Sequence, residues 1–281
     1  MLNKSSCYED RYKTEKYYSY NRTPSYCDRL LYKGDVKISD YNLYSNKLIS
    51  KSDHNMVYGK FNYNNEKGII FTWNMGTRHN KEIIRDGIDD IYKNIISNDK
   101  YDYVIFSLQE SHFNDPINPE LLDFFKNKNY KLICISSNSL NPSFIVRLFV
   151  FSYKYGVDIS ENSKCNSITG NNIFIQKYHF NIIGTKSYVL ISVNNLTIVS
   201  THLPVTTKLK DYGLNKRVLA LKKIIKDVKK FDNVIISGDL NFRIVDGVEQ
   251  LTDLMKSDND FKDYKEEKLF NIKTCKMETC E

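Results

Sequence analysis

Short apolar runs of strand length recur along the chain, at 69–73 (IIFTW), 103–108 (YVIFSL), 131–135 (KLICI), 144–151 (FIVRLFVF), 187–193 (SYVLISV), 196–200 (LTIVS) and 233–237 (NVIIS). Runs this short, rich in β-branched and aromatic residues and bounded by turn formers, predict buried strands. The stretch 214–230 has a different period: Leu214, Val218, Leu221, Ile225 and Val228 share one face, and lysines fill much of the rest. That spacing predicts an amphipathic helix packed on a sheet, its lysines a solvated face. Strands alternating with helical stretches predict an α/β architecture. A strand over 55–63, a tight turn at 64–68 (NNEKG) and the strand at 69–73 predict a short hairpin-like connection.

With 281 residues, 41% hydrophobic and 27% charged, the chain has the composition of a soluble globular protein with a substantial core. No low-complexity linker or internal repeat divides it. The strongest apolar stretch, 143–152, is interrupted by Arg147 and is too short to span a bilayer. The first twenty residues lack an apolar segment, which predicts no secretory signal. Six scattered cysteines with no CxxC spacing predict reduced thiols in a cytoplasmic protein rather than a zinc site. The net charge of +7 suits an anionic partner: a phosphorylated ligand, nucleic acid or an acidic membrane face touched peripherally.

Polar groups capable of chemistry cluster where the strands end. Ser237-Gly238-Asp239-Leu240-Asn241-Phe242-Arg243 follows directly on the apolar run NVIIS. In α/β proteins the carboxyl ends of strands usually carry the ligand site. Asp239 and Asn241 there can orient a water and hydrogen-bond a phosphoryl oxygen. An ordinary Asp/Asn turn would look the same. Three more strand ends are of this kind: Asn74 after FTW, Glu110 after SLQ, and His202 after ST. A carboxylate after a buried strand is well placed for a hard cation. Each of these alone reads as a structural histidine or a surface charge, but four together favour an active site. The N-terminal part adds RTPSYCDRLLY (22–32) and Ser52-Asp53-His54, in which a histidine and nearby aspartates make a tuned acid/base or phosphate-binding group.

Together these strings resemble the inositol polyphosphate 5-phosphatase family of the exonuclease–endonuclease–phosphatase superfamily. GDLNFR is similar to the family's GDxNxR, and RTPSYCDRLLY to its RTPxWCDRxL; the second is specific to this branch. TWNMG, LQES, STHLP and SDHNMVYGKF match the remaining blocks, and Gly184–Val189 is a weaker match to GNKGAV. The order differs. In the family the PxWCDR and SDH blocks come last, whereas here they occupy 22–61 and the others follow. Each block occurs once, so the resemblance implies one circularly permuted domain, 1–281. In it 1–63 corresponds to the usual C-terminal part and 69–281 to the usual N-terminal part, joined through NNEKG. Permutation is tolerated where native termini lie close and new ones fall in an exposed loop.

The resemblance implies a two-sheet, four-layer α/β sandwich with its site at one edge. It implies hydrolysis of the 5-phosphate of a phosphoinositide or soluble inositol polyphosphate by direct water attack. Mg²⁺ would be held by Glu110, with Asn74 beside it and Asp53 contributing. Asp239 would position and deprotonate the water, Asn241 and His202 would hold phosphoryl oxygens, and His54 paired with Asp28 would stabilise the pentacovalent phosphorus. Lys186, Lys276, Arg29 and Arg243 are the implied substrate contacts. The chain departs from the family's FxPTYK segment, where Lys273-Thr274-Cys275-Lys276 stands in its place, and Ser187 and Tyr188 replace small residues after Lys186. Two other readings remain open: a nuclease or phosphodiesterase on the same fold, and a phosphoinositide-binding module without activity. No aromatic-interleaved basic stretch points to nucleic acid.

Overall fold

The computed structural model describes residues 27–49, 52, 54–76, 81–112, 117–138, 145–154, 174–179, 186–206, 213–245 and 248–267. Asp53, Lys276, residues 22–26 and the 273–276 segment lie outside them. Two six-stranded sheets carry the fold. One contains β1 (Asp28–Lys33), β8 (Phe174–His179), β9 (Ser187–Val193), β10 (Leu196–His202), β11 (Asn233–Asp239) and β14 (Lys265–Glu266), in the order β14-β1-β11-β10-β9-β8. The other contains β2 (Lys37–Tyr44), β3 (Met56–Tyr63), β4 (Glu66–Asn74), β5 (Tyr103–Ser111), β6 (Lys131–Asn138) and β7 (Ile145–Ser152), in the order β2-β3-β4-β5-β7-β6. A two-stranded ribbon, β12 (Ile244–Val245) with β13 (Val248–Glu249), stands apart from both.

Strand parity decides what each face meets, because alternate side chains point to opposite sides. Leu30, Ile105, Ile191, Ile198 and Ile235 face inward and form the apolar layer between the sheets. Their neighbours Ile69, Phe71, Val104 and Phe106 face outward beneath α1 (Lys81–Ile91) and α2 (Ile117–Asn127). On the opposite outer face, Leu31, Leu190, Val199, Val234 and Ile236 pack with α3 (Leu214–Asp227) and α4 (Gln250–Ser257). The result is a helix–sheet–sheet–helix sandwich: the alternating pattern predicts its α/β class, and the resemblance implies its two sheets and four layers.

The predicted strands are present, several extended by a residue or more at their carboxyl ends. The connection at 64–68 is tighter than predicted: β3 and β4 pair antiparallel from Tyr63↔Glu66, and only Asn64 and Asn65 form the turn. Both have positive φ (48° and 61°), the left-handed pair that matches the twist of a two-residue hairpin and that asparagine tolerates. Asn194 and Asn195 make the same turn between β9 and β10. Arg147, the break in the apolar run, is buried, and its Nη2 donates to the His112 carbonyl at 2.8 Å. One thiol expectation fails: Cys134 on β6 is disulfide-bonded, whereas Cys27 is free and buried.

Candidate active site

Moving along the inter-sheet layer toward the carboxyl ends of β4, β5, β10 and β11, the inward residues change from aliphatic to hydroxyl to ionisable. The hydroxyl tier joins the two sheets: Ser107 Oγ donates to Ser200 Oγ at 2.8 Å, and Gln109 Nε2 donates to Ser107 Oγ at 3.0 Å. Ser200 Oγ in turn donates to the Arg147 carbonyl at 3.2 Å. These buried polar groups therefore have partners, as burial requires. Beyond this tier lie Asp239, His202, Asn74 and Asp28, all buried.

Ladder register aligns them. Asp28 on β1 is opposite Asp239 on β11, and Asp239 is level with His202 on the parallel neighbour β10. Asp239 Oδ2 lies 3.3 Å from His202 Nε2 and accepts from Asn74 Nδ2 at 3.0 Å, across from the other sheet. Its Oδ1 accepts from the Asn241 amide at 3.0 Å. Burial alone would push this carboxyl up, but the His202 hydrogen bond and the nearby His54, His202 and Lys186 charges hold it well below the usual carboxylate range.

His54, just before β3, closes the site from the second sheet. Its Nδ1 is 2.6 Å from Asp28 Oδ2, and its Nε2 is 4.0 Å from Asp239 Oδ2. Ser52 fixes this loop by donating its hydroxyl to the Asn74 carbonyl at 2.6 Å and accepting from the His54 amide at 3.0 Å. Trp73 Nε1 donates to the His54 carbonyl at 3.3 Å.

Glu110 reaches the cluster only because its backbone departs from strand geometry. Gln109 points inward, so regular alternation would send Glu110 to the helix-covered face. Instead the β5–β7 register is interrupted between Leu108 and Ser111, and Glu110 has φ 53°. A bulge of this kind re-aims a side chain. Glu110 Oε1 then lies 3.6 Å from His202 Nε2 and 4.0 Å from Lys186 Nζ.

Lys186, immediately before β9, also lies against His202 Nε2. Burial lowers the lysine's proton affinity, partly offset by Asp239 and Glu110. Burial likewise lowers that of His202, with the Lys186 charge adding to it. Both groups therefore lose a proton more readily than in water.

Two further backbone specials shape the turn after β11. Gly238 has φ 147°, and a Cβ there would sit 1.9 Å from the Thr201 carbonyl oxygen, so no other residue fits. Asn241 has φ 55°; its Nδ2 donates to the Leu203 carbonyl at 3.0 Å and its Oδ1 accepts from Arg243 Nη2 at 3.0 Å. Arg243 thus adjoins the site.

Arg29 does not. Parity turns it to the outer face, where it is buried and donates to Glu266 at 2.8 Å and Glu249 at 2.5 Å. The expected substrate role is replaced by this ion-pair brace, a partnership between segments far apart in sequence and without a local signal. Gln109, Ser52 and the Glu249–Gln250 junction were not among the predicted site residues. Strand parity alone would have pointed to Gln109.

Among the described residues, no group of three or more His, Cys, Asp or Glu side chains is arranged to hold a metal ion. Asn74 has both ends of its amide engaged within the protein, the oxygen accepting from the Gly76 amide at 3.1 Å. That leaves Glu110 as the carboxylate for a cation, an arrangement compatible with Mg²⁺, which keeps much of its water shell, and unsuited to a dehydrated multi-ligand cage. Cys27, whose thiol burial pushes up to about 12, is no nucleophile.

No protein-family model matches the chain, and no curated protein sequence matches it. Among solved structures, truncated Caenorhabditis elegans TDP2 is similar with a TM-score of 0.39 at 17% sequence identity, over 62% of this chain and 62% of that one. TDP2 from C. elegans gives a TM-score of 0.40 at 16% identity, over 62% of this chain and 48% of that one. The chain spans less than two thirds of either structure's length, and likenesses this distant transfer no residue's role.

Proposed function

We propose that the protein is a phosphoesterase of the exonuclease–endonuclease–phosphatase superfamily that hydrolyses a phosphate ester by direct attack of water. The observation that carries this is the meeting of Asp28–His54, Asp239, His202 and Glu110 at one sandwich edge, from segments far apart in sequence. A phosphate ester is already anionic, so the site must orient water and offset charge developing on oxygen. Asp239, ionised throughout the physiological range, accepts a hydrogen bond from the attacking water and aligns it on phosphorus. A strongly depressed carboxyl is a weak base, but a loose phosphoryl transition state asks more for alignment than for proton abstraction. His54, held by Asp28, donates to a phosphoryl oxygen, and Lys186 and Arg243 supply positive charge. Glu110 would hold Mg²⁺, which when bound would neutralise charge on the phosphoryl and leaving oxygens.

For the substrate, we read the RTPSYCDR and GDLNFR strings as favouring the 5-phosphate of an inositol phosphate, soluble or lipid-borne, and their order as a permuted domain joined at Asn64–Asn65. A phosphodiester, nucleic acid included, suits the same chemistry, and the net charge of +7 speaks for a polyanion. Phosphate release with and without Mg²⁺ across inositol phosphates, beside cleavage of single- and double-stranded DNA and a diester reporter, tests both. Release from a 4,5-bisphosphorylated inositol supports the first reading. Diester cleavage alone supports the second, and neither activity leaves the binding module.

A further inference from the structure

The junction between β13 and α4, Glu249-Gln250, lies on the outer face of the β1–β11 sheet and touches the supports of both halves of the site. Glu249 accepts from Arg29 Nη2 at 2.5 Å, and Arg29 immediately follows Asp28, the partner of His54. Its carboxylate also caps α4, accepting from the Leu251 and Thr252 amides at 3.3 and 2.8 Å. Gln250 serves the other half. Its Oε1 accepts from the Arg243 backbone N–H at 3.1 Å and from Arg217 Nη2 at 2.8 Å, and its backbone N–H donates to the Arg243 carbonyl at 3.1 Å. Arg217 is fully buried and lies over the Phe242 ring, 5.6 Å from its centroid. The side chain of Arg243 in turn holds Asn241 Oδ1, and the Asn241 amide holds Asp239.

We infer that Glu249 and Gln250 are positioning residues for the reaction, a brace that fixes Asp28 through Arg29 on one side and the 239–243 turn through Arg243 on the other. The inference deepens the proposed phosphoesterase reading. Two observations carry it. A fully buried guanidinium is costly unless it is hydrogen-bonded, so the Arg217–Gln250 bond has a reason to persist. Asn241 sits in the left-handed region, which needs surrounding contacts to hold it, and the contact from Arg243 depends on where Gln250 places that residue's backbone. Leu251, next in sequence, packs in the cluster on the outer face of this sheet.

The test compares Gln250→Met, which keeps the volume and removes the acceptor, with Gln250→Glu, which keeps the acceptor. Each full-length variant is assayed for Mg²⁺-dependent hydrolysis and for amide hydrogen exchange. Gln250→Met is expected to lower kcat about 10- to 100-fold, the usual scale for a residue that orients a reacting group, with KM within about threefold. The Arg243 and Asn241 amides should lose protection while those of β10 and β11 keep theirs. Gln250→Glu is expected to stay within about threefold of wild type on both. If Gln250→Met keeps wild-type kcat, or if its loss comes with equal deprotection throughout β11, the brace is refuted as a positioning device. If the wild type hydrolyses nothing, the phosphoesterase reading falls. The brace is then judged on exchange alone, where unchanged Asn241 and Arg243 protection in Gln250→Met overturns it.

Discussion

Asp28 and Asp239 stand directly opposite each other in the antiparallel β1–β11 ladder, yet each carboxylate is matched with a different histidine. Asp28 Oδ2 is 2.6 Å from His54 Nδ1, and Asp239 Oδ2 is 3.3 Å from His202 Nε2. Each of these buried acids therefore has an imidazole nitrogen of its own within reach.

Asp239→Asn removes the negative charge and exchanges one acceptor oxygen for a donor while preserving shape. Turnover should fall by about 10²–10⁴-fold, with the thermal midpoint lowered, since the His202, His54 and Lys186 interactions that outweigh the cost of burying this carboxylate are weakened. Near-wild-type kcat in a folded variant would place the chemistry elsewhere.

Asp28 and His54 should behave as one unit. Asp28→Asn and His54→Gln are each expected to lower kcat by about 10²-fold or more, and the double variant should fall within about threefold of the worse single one. Multiplicative losses in this cycle would show that the two groups act independently.

Gly238→Ala introduces a Cβ that would overlap the Thr201 carbonyl at a φ of 147°. The combined strain and overpacking should cost about 2–5 kcal/mol, read as a lowered urea midpoint. An unshifted midpoint would mean that β10 and β11 do not approach as closely as described.

The Arg29 brace gives a pH signature. Burial would raise the Glu249 carboxyl, but the Arg29 charge and the Thr252 hydrogen bonds outweigh it and hold it below the usual range. A depressed folded value means that this stabilisation is complete above the unfolded carboxyl's value, about 4.3, and disappears as pH falls through the folded one. Glu266, more deeply buried on the same arginine, is pushed the other way, so the two acids are separable. Glu249→Gln should therefore cost about 1–3 kcal/mol at pH 7 and progressively less below pH about 4. A difference constant between pH 7 and pH 3 would exclude this ion pair as the cause.

Much of the frame was legible because periodicity is a local property: β9 begins and ends where SYVLISV does, and β11 adds only Gly238 and Asp239 to NVIIS. β1 gives no strand signal in the sequence, since Asp28, Arg29 and Lys33 dilute its apolar run although only Leu30 and Leu31 need be apolar for its two faces. Asp239 and His202 follow from being at strand ends. Glu110 is different, because alternation places it on the wrong face and only an interrupted ladder corrects this. Arg29 could not be assigned from sequence at all, since the two acids that claim it lie more than two hundred residues away.

The Asn64–Asn65 turn sits at the amino end of β4, while Asn74, at its carboxyl end, belongs to the pocket. Nine steps at about 3.3 Å each separate Asn65 from Asn74 by roughly 30 Å. The threading of the polypeptide is thereby insulated from its chemistry. A genetic rearrangement, or an inserted fluorophore, at this bend would be screened for whether the sheet still zips up, and hardly at all for whether the reaction still runs.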